Sequence, residues 1–527
     1  MTREKQYEAV YAGFVYEKPE TYWTSTEEVK SRLTRIRLGG NRAVRAGGIP
    51  IISDGKVVYA DTGDGHTAII ASSGMKKSIC CFMPLIRTLA AAGENMILTD
   101  PKGELYGRMA GTLREEGYTV YCLDFREMNK DCYNILHYPT SLYRSGDKEG
   151  GMTLLSDITN MLAEEQRKRA KDPFWPDTGA MWLSGTGTFM MDGYPDPDQV
   201  NILNWSDYNV RSSASIVEES ILPRVPDNMA KSALKQCLSS AENTFRSILI
   251  TATSFLAKFN QNPKLAAMLS CSTFTPEDLI KPRTALFFVT DDTTSTADLI
   301  VGIIISQIKS FLIGRAYRSR DGKLEIRMNF VLDEFASIPI PDMDKALATY
   351  RSRNIRFILC IQSLAMLKTR YEEPEALLAN CASVLYLGST ELELLKQLET
   401  KLGTTRVTPD GVERPLCSQA ELMTLEKAWD HKEAIYMNLS ENIRYCTMIP
   451  AIEAYETRDE KKISDCEEAE KEIAEAGSFR KVPEVKSYSV ADFAADIINE
   501  VIRTPFTTCE EKPKAYVRRR RMMKEEE

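Results

Sequence analysis

The chain has 527 residues, of which 43% are hydrophobic and 27% charged, a globular composition with enough material for a large core and roughly two or three domains. Its formal net charge of −8 excludes a surface that is basic all over, so any contact with nucleic acid must be local, for example in a channel. Twelve cysteines without a CxxC pair fit a reducing compartment, and three histidines are too few to suggest a zinc site.

Neither a signal peptide nor a membrane span is predicted. The amino-terminal residues lack the apolar run of a signal peptide, and no segment reaches about 18 uninterrupted apolar residues. The most apolar segment, Leu299–Ile313, contains Ser306, Gln307, Lys309 and Ser310 at helical spacing. We therefore expect it to form a buried helix with a polar stripe, in a cytoplasmic chain.

Short β-branched runs alternate with helical patterns in the first part of the chain, as in a parallel sheet covered by helices on both faces. The predicted order is strand, helix, strand, helix, strand, over His66–Ala71, Lys77–Ala92, Met96–Asp100, Gly103–Glu116 and Thr119–Asp124. From about Leu142 to Pro282 the patterns are mostly helical, apart from a turn-rich stretch at Asp192–Asp207. Strands are predicted again at Thr284–Val289, Asn329–Leu332, Arg356–Ile361 and Val384–Leu387, with candidate edge strands at Ala434–Asn438 and Tyr445–Ile449.

The simplest organisation is a nucleotide-binding sheet interrupted by a helical insertion. This predicts an amino-terminal segment at residues 1–64, a nucleotide-binding domain in two parts at 65–141 and 283–455, and an all-helical insertion at 142–282. Residues 456–527 are predicted as a charged carboxyl-terminal segment, with a helical stretch at Glu467–Glu475 and a polar tail at Arg518–Glu527.

A phosphate-binding loop is expected after the first strand, where the sequence is ASSGMKKS over residues 71–78. In the pattern GxxxxGK[ST], Lys77 takes the place of the phosphate lysine and Ser78 that of the Mg²⁺ hydroxyl. Ala71 and Lys76 replace the two signature glycines, and a non-glycine residue at positive φ costs on the order of 1 kcal/mol. The predicted nucleotide-binding residues are Ser73, Gly74, Met75, Lys76, Lys77 and Ser78, and the alternative is a phosphate loop that has become a structural turn.

Two adjacent carboxylates, Asp333 and Glu334, follow a buried strand at Phe330–Leu332. In a nucleotide-hydrolysing site an aspartate at this place holds Mg²⁺ directly or through water, and the glutamate polarises a water aimed at a γ-phosphate. A second strand ends in Gln362, which either senses the γ-phosphate or caps a turn. Asp100, at the end of another strand, is also predicted to belong to the nucleotide site, where it orients Lys77 or a water; the alternative is a cap of the next helix.

Five segments carry a resemblance to a known family: HTAIIASSGMKKS, ILTDPKGELYGRMAGTLREEGYTVYCLDF, DPFW, VLDEFASIPIPDMDKALATYRSRNI and IQSLAMLKTRYEEPEALLANCASVLYLGS. From about Gly65 to Thr405 the chain closely resembles the type IV secretion coupling proteins, the TraG/TraD-type conjugation ATPases. The resemblance implies an α/β, RecA-like P-loop NTPase domain with a mostly parallel central sheet and an inserted all-helical domain.

The resemblance also implies roles for individual residues. Lys77 is then the phosphate lysine, Ser78 a Mg²⁺ ligand, Asp333 a direct or water-mediated metal partner and Glu334 the water-activating base of an ATPase that uses ATP and Mg²⁺. Gln362 is then the γ-phosphate sensor, and Arg351 or Arg353 acts in trans on a neighbouring subunit. The alternative for these arginines is a solvated helix end that pairs with carboxylates.

At the level of the assembly, the resemblance implies a homo-hexameric motor that recruits relaxase and single-stranded DNA to a type IV secretion channel. Family members usually begin with two membrane-spanning helices, and this sequence predicts none. We therefore expect a membrane-helix-free member, docked on a membrane subunit at the inner face of the cell membrane. A catalytically silent recruitment platform is the alternative function, while a small-molecule kinase is disfavoured because no second-substrate pocket is apparent.

Overall fold

The computed structural model describes residues 21–38, 44–194, 196–212, 217–218, 222–223, 229–291, 295–406 and 413–455. The chain divides into two compact units: the first contains the described residues up to Tyr138 and from Cys271 onward, and the second is Pro139–Ser270. The predictions for Glu467–Glu475, Arg518–Glu527 and the rest of the carboxyl-terminal segment lie outside the described residues.

The strands of the first unit form one large sheet, one three-stranded sheet and one small hairpin. The three-stranded sheet contains β1 (Thr34–Arg37), β2 (Ile49–Ser53) and β3 (Val57–Asp61). The large sheet contains β4 (His66–Ala71), β5 (Asn95–Asp100), β6 (Thr119–Asp124), β7 (Thr284–Val289), β8 (Met328–Leu332), β9 (Ile355–Ile361), β10 (Cys381–Gly388), β13 (His431–Asn438) and β14 (Ile443–Pro450). The hairpin contains β11 (Thr404–Arg406) and β12 (Glu413–Pro415).

Helices follow most of the parallel strands. In the first unit the helices are Thr26–Arg32, a π-helix at Lys77–Phe82 that continues as an α-helix at Met83–Ala92, then Glu104–Glu115, Ser295–Arg318, Met343–Thr349, Leu364–Arg370, Pro374–Ala379, Leu392–Leu402 and Gln419–Met423. A helix at His137–Ser145 begins at the boundary of the two units.

The nine strands of the large sheet lie in the order β14-β13-β10-β4-β9-β8-β5-β7-β6. The seven strands from β10 to β6 are mutually parallel, while β13 and β14 pair antiparallel at one end. The parallel strands are buried on both faces, which explains their continuous apolar sequences. The predicted bounds of β6 and β7 are confirmed, whereas β13, predicted as an edge strand, lies between β10 and β14.

The second unit, as far as the structure describes it, is helical. Its helices are Lys148–Arg169, Phe174–Gly193, Ile202–Arg211, Met229–Leu238, Glu242–Asn260 and Pro263–Met268. The prediction of a turn-rich stretch at Asp192–Asp207 is partly wrong, because Asn201 caps a helix there by accepting a hydrogen bond from the Asn204 amide at 3.0 Å. The predicted insertion spans residues 142–282, and the compact unit spans Pro139–Ser270.

One helix among the described residues, Ser295–Arg318, is long and apolar enough to cross a membrane, and 67% of its most apolar window is buried within the fold. Two polar residues of this helix form hydrogen bonds to backbone carbonyls of other segments. Gln307 donates to the carbonyl of Ile135 at 2.7 Å, and Lys309 Nζ donates to the carbonyl of Pro341 at the same distance. Burial lowers the pKa of Lys309 to about 8.

Candidate nucleotide site

Three neighbouring strands bring the predicted site residues to one edge of the sheet. The phosphate loop follows β4, the acidic pair follows β8, and Gln362 follows β9, which lies between those two strands. Parallel strands end at the same edge, and two spacings of about 4.8 Å separate β4 from β8 by roughly 10 Å. The sheet thus places the loop and the acidic pair on either side of Gln362.

The predicted phosphate loop has the backbone conformation that glycines would favour. Gly74 and Lys76 both have positive φ, 76° and 59°. The Lys76 side chain donates to the carbonyl of Trp429 at 2.8 Å. At the loop's start, the Ser72 amide donates to the carbonyl of Gly388 at 2.9 Å. Lys76 therefore accepts a strained backbone where the sequence pattern calls for glycine, at a cost of about 1 kcal/mol.

Lys77 connects the loop to the acidic pair. Its Nζ lies 2.6 Å from Asp333 Oδ1 and 3.6 Å from Glu334 Oε1. The Lys77 and Asp333 side chains are only 10% and 8% exposed, so water screens their attraction weakly. Burial alone would lower the pKa of Lys77, but the carboxylates of Asp333 and Glu334 beside it outweigh burial and raise the pKa above its ordinary value. The ammonium is therefore charged at neutral pH.

The acidic pair is held in a defined orientation. Asp333 accepts a hydrogen bond from the Glu334 amide at 2.8 Å through Oδ1, and its carbonyl accepts one from Thr99 Oγ1 at 2.8 Å. Glu334 has a positive φ of 53°, unusual for a residue with a side chain, and strain of this kind is concentrated at functional sites. Gln362 Nε2 donates to Glu334 Oε1 at 2.8 Å. Glu334 and Gln362 thus approach each other across neighbouring strand ends.

The loop is followed by a π-helix, Lys77–Phe82, rather than by a regular α-helix. Ser78 lies in its first turn and is half-buried, while Ser73 and Gly74 are exposed and Met75 is half-buried. π-Helical turns are frequent at functional sites. A Cβ at Gly388 would lie 3.1 Å from Met75 Sδ, so glycine at the end of β10 leaves room for this loop.

The protein groups at this site could supply only some of the ligands that a Mg²⁺ ion needs. No cluster of three or more His, Cys, Asp or Glu side chains suited to a metal occurs among the described residues. Mg²⁺ in nucleotide sites usually takes one or two protein oxygens and completes its octahedron with phosphate oxygens and water. The Ser78 hydroxyl and the Asp333 carboxylate are oxygen donors of that type, so the arrangement suits Mg²⁺ carried by a nucleotide.

Asp100 is 2% exposed and caps the following helix. Its Oδ2 accepts a hydrogen bond from the Tyr106 amide at 2.8 Å. Burial, opposed by the Tyr106 and Leu105 amides and reinforced by the charge of Asp333, raises the pKa of Asp100 to about 6. The sequence left open whether Asp100 orients Lys77 or a water, or caps the next helix; the structure contains the helix-capping contact.

Asp100→Asn is expected to stabilise the protein at neutral and alkaline pH. The pKa of Asp100 is about 6 in the folded chain and 3.8 in the unfolded chain. The contribution of Asp100 to the free energy of unfolding is therefore highest below pH 3.8, where Asp100 is protonated in both states, and it falls as pH rises through 6 and the buried carboxyl group ionises. A pKa rise of this size corresponds to roughly 3 kcal/mol at pH 7 to 8. Urea unfolding at pH 4, 6 and 8 should show the gain growing with pH, with exposed Asp64→Asn as control; a gain independent of pH would contradict the assignment.

The two candidate arginines lie at the opposite edge of the sheet from Glu334. Both precede the start of β9, in a 3-10 turn at Tyr350–Arg353, whereas Gln362 follows the end of the same strand. Arg353 is held within its own chain, with its guanidinium 4.7 Å from the Tyr317 ring centroid and a 3.2 Å hydrogen bond to the carbonyl of Gly322. Arg351 is exposed. Neither arginine is placed to serve the site of its own chain.

Comparison with known proteins decides the family. A family model described as "Type IV secretory system Conjugative DNA transfer" matches residues 20–438, most of the chain. The chain belongs to this conjugative DNA transfer family. The resemblance inferred from the sequence is thereby confirmed, while a comparison with curated proteins finds no match.

Solved structures show that this family member has the fold of a bacterial conjugative coupling protein. TrwBdeltaN70 in complex with sulphate aligns with a TM-score of 0.58 at 15% identity, over 83% of this chain and 96% of that one. TrwB in complex with the ATP analogue ADPNP gives 0.56 at 15% identity, over 83% and 95%, and TrwB with ADP and Mg²⁺ gives 0.55 at 16%, over 83% and 96%. The predicted α/β RecA-like fold is confirmed.

Sequence reasoning missed two contributors to the site in this conjugative DNA transfer protein. Thr99, which holds the Asp333 carbonyl, lies in β5 directly before Asp100, within the ILTDPKGEL segment, but was assigned no role. The segment that reaches the phosphate loop through Trp429 lies more than 350 residues away in sequence. No local pattern could have indicated either contact.

Proposed function

We propose that this protein is an ATP-driven coupling protein that recruits relaxase-bound, single-stranded DNA and drives it toward a type IV secretion channel. The observation that carries the proposal is the convergence of Lys77, Asp333, Glu334 and Gln362 within hydrogen-bonding or ion-pairing distance. Motors that hydrolyse ATP need a cation for the phosphates, a carboxylate for the metal and a base for the water, and these residues supply the three groups.

In the proposed mechanism Lys77 exchanges part of its ion pair with Asp333 for oxygens of the β- and γ-phosphates. Mg²⁺, when bound, would neutralise charge on those phosphates, and Ser78 and Asp333 would hold it directly or through water. Glu334 accepts a proton from a water as the water oxygen attacks the γ-phosphorus and the bond to the bridging oxygen breaks, which releases ADP. Gln362, hydrogen-bonded to Glu334, responds to the presence of the γ-phosphate.

A trans-acting arginine completes the proposed site in a homo-hexamer. Arg351 is the better candidate of the two, because it is exposed, whereas Arg353 is engaged with Tyr317 and Gly322. A guanidinium supplied across a subunit boundary stabilises charge on the transferring phosphoryl group and contributes several powers of ten in rate. We further propose docking on a membrane subunit at the inner face of the cell membrane.

A catalytically silent recruitment platform is the second candidate function. The replacement of two signature glycines by Ala71 and Lys76 favours it, because the loop is strained at Lys76. The hydrogen bond between Gln362 and Glu334 favours the motor, because a site without turnover has no use for an oriented base.

ATP turnover measured with and without single-stranded DNA distinguishes the motor from the platform. The motor should hydrolyse Mg·ATP, and DNA should accelerate turnover because it favours assembly of subunits into a ring that brings Arg351 to a neighbouring site. Phosphate release should be followed together with mass measurement at several protein concentrations. Saturable ATP binding without hydrolysis, in an assembled ring with DNA present, would contradict the motor and leave the platform.

A further inference from the structure

A short turn before β13, Glu426–His431, lies against the phosphate loop; we call it the cover turn. Its conformation is fixed by several hydrogen bonds. The Glu426 amide donates to Glu433 Oε2 at 2.7 Å, the Glu433 amide donates to the carbonyl of Glu426 at 2.9 Å, and Ala428 donates to the carbonyl of His431 at 3.2 Å. Lys432 Nζ adds a 3.0 Å hydrogen bond to the carbonyl of Glu426. The cover turn is therefore a built element of the site rather than a loose loop.

The cover turn meets the phosphate loop at two points. Lys76 Nζ donates to the carbonyl of Trp429 at 2.8 Å. On the other side, a Cβ placed on Gly74 would lie 3.8 Å from Lys427 Nζ. The residue that replaces the second signature glycine thus tethers the turn, and the tethered turn brings a third ammonium group to the loop.

The three ammonium groups differ in their partners. Lys77 is neutralised by Asp333, and Lys76 is bound to a backbone carbonyl. Lys427 forms no ion pair with any residue that the structure describes, and the nearby carboxylate of Glu426 lies 3.5 Å from His431 Nε2 instead. An exposed ammonium group without an ion-pair partner among the described residues, placed beside Gly74 of the loop, favours an anion at this place.

We propose that Lys427 binds the phosphate chain of the nucleotide, as a second phosphate lysine supplied by the cover turn. The inference rests on the proposed function, since it assigns a further ligand to the same nucleotide. It also gives a physical reason for Lys76: its side chain holds the cover turn, and Lys427 then provides charge to a loop poor in glycine. Inorganic triphosphate and nucleoside di- and triphosphates share the chemistry that this lysine recognises.

Lys427→Ala should raise the dissociation constant for Mg·ATP and Mg·ADP about tenfold or more, as expected for loss of a charge-assisted hydrogen bond. Lys427→Arg should retain most of the affinity because it keeps the charge. Lys401→Ala is the matched control, because Lys401 is an exposed lysine near the start of β10, at the other edge of the sheet. Titration calorimetry on the full chain gives the constants, and competition by inorganic triphosphate, weaker in Lys427→Ala, identifies the phosphates as the group contacted.

The outcomes separate this inference from the proposed function. If the wild-type chain binds Mg·ATP and Lys427→Ala binds it equally well or more tightly, Lys427 is no phosphate ligand and only the inference fails. If the wild-type chain shows no saturable binding, the proposed function fails as well. Unfolding without nucleotide should be unchanged in Lys427→Ala, because no described residue forms an ion pair with this side chain. A variant that does not fold would leave Lys427→Gln to decide.

Discussion

Glu334→Gln is expected to lower ATP turnover by at least about 100-fold while Mg·ATP binding persists, because removal of a general base typically costs two to four powers of ten. Glutamine has nearly the same shape and keeps an oxygen that can accept the hydrogen bond from Gln362 Nε2, which measures 2.8 Å in the wild-type chain. It cannot take a proton from the attacking water. The loss should therefore appear in kcat, with little change in the dissociation constant.

The measurement combines phosphate release under saturating Mg·ATP with calorimetric binding. Exposed Glu325→Gln serves as the control, since it removes a carboxylate of the same kind away from the site and should leave turnover unchanged. Glu334→Gln that hydrolyses ATP at the wild-type rate would refute Glu334 as the base. Loss of ATP binding together with turnover would show that Glu334 acts in binding instead.

Lys77→Met is expected to have two large effects, one on nucleotide affinity and one on folding stability. In the proposed mechanism the variant loses the cation that binds the β- and γ-phosphates, so ATP affinity should fall steeply. It also leaves Asp333, whose side chain is 8% exposed, without its ion-pair partner at 2.6 Å. Breaking a buried ion pair by removing one partner typically costs about 3–5 kcal/mol.

A double-mutant cycle separates the two effects. Lys77→Met/Asp333→Asn removes both charges, so urea unfolding at pH 7 should show most of the lost stability restored, while ATP affinity stays low. Because the pKa of Lys77 is raised in the folded chain, the stability from its charge is fully present below pH 10.5 and is lost only as pH rises through the still higher folded value. Unchanged ATP affinity in Lys77→Met would move the phosphate role to Lys76 or away from this loop.

The sheet was predictable from the sequence because its parallel strands are buried on both faces. Continuous apolar runs such as Thr284–Val289 are typical of strands in a parallel sheet that is buried on both faces. Polar residues that follow such strands converge at the carboxyl ends of the strands, along one edge of the sheet. For that reason the convergence of the loop that carries Lys77 with the acidic pair could be anticipated, although 256 positions separate Lys77 from Asp333. The three-stranded sheet β1-β3-β2 was missed, although β2 and β3 are β-branched runs on either side of Asp54-Gly55, a dipeptide typical of hairpin turns.

The remaining parts of the site depend on contacts that no local pattern encodes. From the sequence Lys76 was identified only as the replacement of a signature glycine, and only the fold shows its side chain directed to the carbonyl of Trp429. Asp100 could be assigned to either of two roles until its hydrogen bond to the Tyr106 amide was known. From the sequence, Arg351 and Arg353 were equal candidates for the trans-acting arginine. The contacts of Arg353 with Tyr317 and Gly322 in its own chain favour Arg351.

A crystal structure with Mg²⁺ and a non-hydrolysable ATP analogue tests most directly whether the double-lysine loop and the acidic pair form one nucleotide site. We expect the terminal phosphate within hydrogen-bonding distance of Lys77 Nζ and facing Glu334 and Gln362, with Mg²⁺ next to Ser78. An analogue bound elsewhere, or a terminal phosphate too far from Glu334 for a single water to bridge them, would contradict the account.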